Sequence, residues 1–205
     1  MISPSDDAKL EVLATHYENT FQEISKTLAR RDRSFLILVL VLIFFWLRLV
    51  MPADVAAATT DLAQNKLGLK YVPKIFVVDS VLWCALLGIC TRYFQCTVES
   101  NRLYNYIQSI EAELKALFAG APFTREGDFY SNNYNLFKRW AGFVYTVIFP
   151  LFMCITIVVK MVSEIIIRES IANALFDLAI CAIVLISIVL FVWRDLIVQF
   201  GRKQE

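Results

Sequence analysis

Glycine is scarce in this chain, six in 205 residues, and histidine is scarcer, with His16 alone. Neither a phosphate-cradling glycine loop nor a dinucleotide-binding glycine pattern is present, and no G-x-S-x-G turn presents a nucleophilic serine. A lone histidine with no cysteine or acidic cluster beside it is poor material for a metal site or a proton shuttle. The five cysteines, Cys84, Cys90, Cys96, Cys154 and Cys181, include no C-x-x-C pair. Most lie in apolar runs, where cysteine packs as a small hydrophobe. These absences point away from enzymatic chemistry, metal and cofactors. Net charge is only +1, so no bulk attraction to nucleic acid is expected.

Apolar residues are abundant instead. They make up 58% of the chain, where a soluble domain has roughly 45–50%. The excess must face something other than water, and a lipid bilayer is the economical answer. Four runs carry it, at 35–51, 75–92, 140–160 and 172–193. A span needs about 20 apolar residues, so the first two are short and the last two ample. Inside lipid every backbone polar group must be satisfied within its own segment, so these runs are read as helices. The fold expected is all-α: four transmembrane helices with a helical annex. Arg30, Arg31 and Arg33 precede the first run and Ala56, Ala57 and Ala58 follow it, as in a cleaved leader. The preceding segment is long and carries acidic groups, so the run is read as a retained span.

The connectors set orientation. With the amino terminus inside, fourteen Lys and Arg residues fall on the inner side and five on the outer, with Arg48 left in the membrane. Both termini are therefore expected in the cytoplasm. Tyr93, Phe94, Trp140 and Trp193 then fall at the inner boundary, where aromatic rings settle. The segments become a cytoplasmic helix at 1–34, an external loop at 52–74, a cytoplasmic extension and loop at 93–139, an external turn at 161–171 and a cytoplasmic tail at 194–205.

The cytoplasmic segments have helical seams of their own. Leu10, Leu13, Tyr17, Ile24 and Leu28 recur at helical spacing, as do Leu103, Ile107, Ile110, Leu114 and Leu117. No Gly or Pro interrupts the chain between Cys90 and Ala119, so the second span continues into the cytoplasmic helix until Gly120-Ala121-Pro122 stops it. Leu103, Ile107, Ile110 and Leu114 are the candidate assembly or docking surface, together with the loop residues Arg125, Tyr130 and Tyr134. Either the two strips pack on each other, or they meet other copies or a cytosolic partner.

Within the spans, Arg48 and Lys160 lie late in outward-going helices, and Asp79 and Asp177 lie early in inward-going ones. All four therefore belong at similar depth. A charge at membrane depth pairs or faces a cavity, which suggests a gating or sensing layer. The alternative is that the long cations snorkel to the surface while the aspartates cap helix ends. Ser80, Cys84 and Gly88 form a small-residue stripe suited to close helix packing, within the chain or between copies. Pro150 is expected to kink the third span.

This layout of four spans plus a cytosolic helix at 93–118 resembles the small four-span membrane components of bacterial antiphage systems. Examples are the membrane subunit of Kiwa and the four-helix membrane effectors of nucleotide-signalled immunity. The resemblance covers nearly the whole chain and is one of architecture; similar layouts serve toxin-immunity proteins and small transporter subunits. It implies a bacterial inner-membrane protein that oligomerises and senses infection or anchors a cytosolic partner. The other reading is a pore-forming or channel protein that alters permeability. Topology is the first test: reporter fusions near Gly120 and at the carboxyl terminus should report a cytoplasmic location, and one near Gln64 an external location. An external Gly120 overturns the orientation.

Overall fold

Nothing in the stretch from Asp6 to Val50 breaks a helix, and the computed structural model shows one helix there, α1 (Asp6–Val50). The structure describes residues 6–66, 68, 75–117, 136–167 and 171–201. Pro52 ends α1: the residue before a proline is pushed out of the helical region, and Met51 sits at φ −130°, ψ 61°. The same proline starts α2 (Pro52–Asp61), where its missing N–H costs nothing. A π-helical turn, Leu62–Lys66, follows. The segment 52–74, read as a loop, is thus helical over much of its described length.

Next come α3 (Ile75–Leu117), α4 (Leu136–Phe143), a second π-helical turn (Val144–Ile148), α5 (Phe149–Ile167) and α6 (Ile171–Gly201). The π turn stands where Pro150 was expected to kink the span. A proline ring clashes with the carbonyl four residues back, and an i→i+5 turn relieves the conflict without ending the helix. The fold is all-α, and four of its helices carry segments long and apolar enough to cross a membrane: Ala8–Val50, Val77–Ala116, Trp140–Ser163 and Ala174–Arg194. The first runs together the amphipathic segment and the span that sequence reading had separated.

The chain divides into two units: residues 1–33 with 93–141, and residues 34–92 with 142–205. In the first, the opening part of α1 meets the closing part of α3. Tyr17 Oη donates to Glu111 Oε1 at 3.3 Å, and His16 Nδ1 and Tyr106 Oη share a hydrogen bond of 3.4 Å. The core of this unit includes Ile24, Tyr93, Phe94, Cys96, Ile107, Ile110 and Leu114, with the hydroxyls of Thr20 and Ser100 turned onto carbonyls of their own helices.

Two expectations change here. Ile107 is 0%, Ile110 3% and Leu114 4% exposed, with Leu103 half-buried, so the proposed docking strip is core. A helical period identifies an apolar face; the neighbour covering it comes from this chain itself. Tyr93 and Phe94 are likewise buried, with ring centroids 5.6 Å apart, and do not belong to a boundary belt; Trp140 and Trp193 are exposed. Arg125, Tyr130, Tyr134 and the helix stop at Gly120 lie outside the described residues.

The second unit has the four spans. Phe45 meets Trp83 and Arg48 meets Asp79, so α1 and α3 run antiparallel. Phe35 contacts Tyr145 and Phe149 while Trp46 contacts Phe152, so α1 and α5 run parallel. α6 packs along α5 and the π turn before it. Buried positions recur at heptad spacing: Phe149, Met153, Thr156 and Lys160 on α5; Asp177, Ile180, Val184, Ile188 and Phe191 on α6. The outward faces are equally apolar, with Leu36, Leu40, Leu151, Ile155, Ile186 and Leu190 all exposed. Such a surface is stable in hydrocarbon and not in water, so the protein is a multi-pass membrane protein.

The small-residue stripe faces outward too. Cys84 and Gly88 are exposed, and a Cβ added at Gly88 would meet nothing within 4 Å. The packed face of α3 in this unit is Asp79, Trp83, Leu86 and Cys90.

The core assignment of Ile107 yields a stability prediction. Ile107→Glu should cost about 3 kcal/mol or more, because it buries a carboxylate in an apolar seam. Val12→Glu, on the exposed side of α1, should change stability by less than about 0.5 kcal/mol. Thermal unfolding in mild detergent, followed by circular dichroism, separates the two; equal midpoints refute the assignment.

Candidate functional site: a buried charge cluster

Asp79 lies in the second turn of α3, where its neighbours along the chain are Val78 and Ser80. Its side chain is 9% exposed, facing two cations. Lys160 Nζ, on α5 and 5% exposed at the side chain, donates to Asp79 Oδ2 at 3.2 Å. Arg48 Nε, in the last turn of α1 and 15% exposed, is 3.7 Å from the same oxygen, an ion-pair distance beyond hydrogen-bond range. Arg48 is tethered from its other side, where Nη1 donates to the carbonyl of Pro52 at 3.0 Å. The first residue of α2 therefore helps to hold the guanidinium in place.

Aromatic rings form the wall. Lys160 Nζ stands 5.9 Å from the centroid of Phe45, within reach of a cation–π attraction. Phe45 in turn packs against Trp83 at 4.9 Å. Both rings are fully buried, so water is excluded on this side and the electrostatic attraction is little screened. Asp79 Oδ1 is buried without a hydrogen-bond partner, and both cations approach the carboxylate at Oδ2. Two cations on one oxygen make an asymmetric arrangement.

Arg48, Asp79 and Lys160, all nominated from sequence, thus meet in space. The fourth, Asp177, is buried on α6. Snorkelling does not describe Lys160, whose ammonium points into the unit, although Arg48 retains a partly open edge. Sequence reading missed the ring contacts that seat the cluster. It also missed Trp46, whose Nε1–H donates to Thr156 Oγ1 at 3.1 Å and ties α1 to α5 one helical face away. Phe45, Trp83 and Thr156 occupy heptad-related positions, the one sequence signal that groups them with Asp79 and Lys160. The five cysteines are free thiols, and among the described residues no three metal-ligating side chains cluster.

No protein-family model, no curated protein and no solved structure matches the chain.

The geometry predicts energetic coupling. Asp79→Asn and Lys160→Gln should each destabilise the detergent-solubilised protein: the first leaves both cations facing a neutral amide, and the second leaves the buried carboxylate to the more distant Arg48. The double variant should lose less than the sum of the two, by at least about 1 kcal/mol. Arg48→Gln should have a smaller effect, given its longer separation and greater exposure. Strict additivity of the Asp79 and Lys160 effects in a double-mutant cycle defeats the pairing.

Proposed function

We propose that this protein is a non-enzymatic sensor or anchor of a bacterial inner membrane that works as a homo-oligomer and recruits a cytosolic protein. The antiphage components it resembles in layout suggest the setting. The observation that carries the reading is the length of two helices. α1 and α3 each contribute residues to both units without a break, one stretch rich in charge and the other apolar. A hydrogen-bonded helix does not absorb a shift the way a loop does, so a movement near Asp79 is felt further along α3. In this reading a stimulus shifts Asp79 between Lys160 and Arg48, which face the same carboxylate oxygen.

The surface offered to a partner is on the charged unit. Val12, Phe21 and Tyr106 are exposed there, and the segment with Arg125, Tyr130 and Tyr134 is the remaining candidate from sequence. The channel reading rests on one specific observation, the burial of Asp79, Lys160 and Asp177 in the unit with apolar outward faces.

Isolation from native membranes in mild detergent distinguishes the two. The sensor reading expects a soluble protein in fixed ratio, crosslinked oligomers in the membrane, and an altered yield of that partner from Asp79→Asn protein of normal abundance. Monomers without a partner defeat it, and ionic currents from the purified chain in planar bilayers establish the channel instead.

A further inference from the structure

Three of the helices end an outward-facing stripe on an arginine. On α1 the exposed residues Leu40 and Ile37 are continued toward the amino end, at helical spacing, by Arg33. On α3 the exposed positions Cys84 and Gly88 lead to Arg92, and on α6 Ile186 and Leu190 lead to Arg194. In each case the arginine stands one turn beyond the last uncharged position of the stripe, about 6 Å along the axis and on the same face. All three arginines are exposed, and among the described residues none of them meets a carboxylate. Asp32, beside Arg33 in the chain, is taken by Arg31 at 2.8 Å.

Helix direction orders these residues. Arg33 on α1 and Arg92 on α3 lie about 22 and 20 Å along their helices from the Arg48–Asp79 contact, at about 1.5 Å per residue. Because α1 and α3 run antiparallel, both leave that contact in the same direction. Whereas α5 runs parallel to α1, α6 packs back along α5, so α6 runs with α3 and carries Arg194 toward the same end. Trp193, 66% exposed, stands next to Arg194; such a ring settles at the headgroup level of a bilayer. The opposite end is charged differently, for α2 and the π turn after it expose Asp54, Asp61 and Lys66.

One helical turn beyond hydrocarbon is the level of phosphate. The headgroup layer on each side of the apolar core is about 5–8 Å deep, and an arginine about 6 Å past the last lipid-facing position falls within it. A planar guanidinium holds phosphate oxygens through paired N–H donors. With no carboxylate of the protein to neutralise it, each favours a headgroup whose phosphate is not already balanced by an amine. We propose that Arg33, Arg92 and Arg194 bind the headgroups of anionic phospholipids in the leaflet at this end of the spans.

This lipid preference follows from the four spans and does not need the sensor reading: a protein without a soluble partner would select the same lipids. Full-length protein in phosphatidylcholine vesicles is given a trace of phospholipid spin-labelled on its acyl chain. The motionally restricted fraction of the electron paramagnetic resonance spectrum then measures lipid held at the protein surface. Labelled phosphatidylglycerol should be held at least about threefold more strongly than labelled phosphatidylcholine. Replacing Arg33, Arg92 and Arg194 together by Gln should bring that ratio to about one, whereas Lys66→Gln, at the opposite end, should leave it unchanged. Equal affinity of the wild-type protein for the two lipids overturns the proposal without recourse to any variant. So does a preference that falls equally in Lys66→Gln, or one that survives the triple substitution. Survival of the preference with loss of a co-purifying soluble protein would assign the three arginines to that protein instead.

Discussion

Hydrocarbon on the outside of a transmembrane helix is as stable as hydrocarbon on the inside, so burial of apolar side chains does not by itself tell one face of α1 from another. Leu36 and Leu40 face out while Leu38 and Leu42 face in, and the residues are chemically the same. What distinguishes the inner face is the carboxylate of Asp79. It cannot be left in lipid without a counter-charge, and Lys160 and Arg48 cannot either. Bringing the three together fixes which faces of α1, α3 and α5 must meet, and the ring contacts around Phe45 and Trp83 then fill the space so defined. The aromatic and Trp46–Thr156 contacts refine that arrangement, since packing and interhelical hydrogen bonds are the forces available in a bilayer.

The unit built from the ends of α1 and α3 works by the opposite logic. Its outer face carries charge, as in the exposed pairs of Glu23 with Lys26 and Arg30, and its seam carries Ile24, Ile107, Ile110 and Leu114. There the expulsion of water supplies the driving force, at roughly 1.5–3 kcal/mol for each large side chain fully buried. Polar atoms in the seam are tolerated when they turn back on their own helix, as Thr20 and Ser100 do. Those exposed ion pairs contribute little to stability; they keep that surface soluble.

The spans were legible in the sequence because long apolar runs have few other meanings, and the uninterrupted α3 was legible because its charge-rich part contains neither Gly nor Pro. The common depth of Arg48, Asp79 and Lys160 followed from alternating helix directions alone. What periodicity could not supply was the identity of a neighbour. Ile107 and its companions show a helical stripe whether they meet α1, a second copy or another protein, and Tyr93 reads as a boundary aromatic until something packs over it. The stripe of Ser80, Cys84 and Gly88 was ambiguous for a related reason: small residues permit close approach without saying to what, and within this chain Cys84 and Gly88 are exposed. Continuity of α1 was legible in principle, since Arg30 to Phe35 contains no breaker, but the change in composition invited a division there.

That change in composition leaves the buried period of α1 undisturbed. Thr20, Ile24 and Thr27 are buried in the first unit, and Leu38, Leu42 and Phe45 in the second, at steps of four, three, eleven, four and three, eleven residues being about three helical turns. Across residue 34 the inner face keeps its spacing while the outer face passes from Lys26 and Arg30 to Leu36 and Leu40. The helix thus meets two solvents with one unbroken backbone, and only its exposed side chains mark where the change falls. A helix of this kind can be shifted as a whole at little cost to its internal hydrogen bonds. The cost of a shift falls on the residues that distinguish one register from the next, and in the membrane-spanning unit these include Arg48 with Asp79 and Trp46 with Thr156. Contacts that specify the bundle are therefore the ones that a movement of α1 must break and remake.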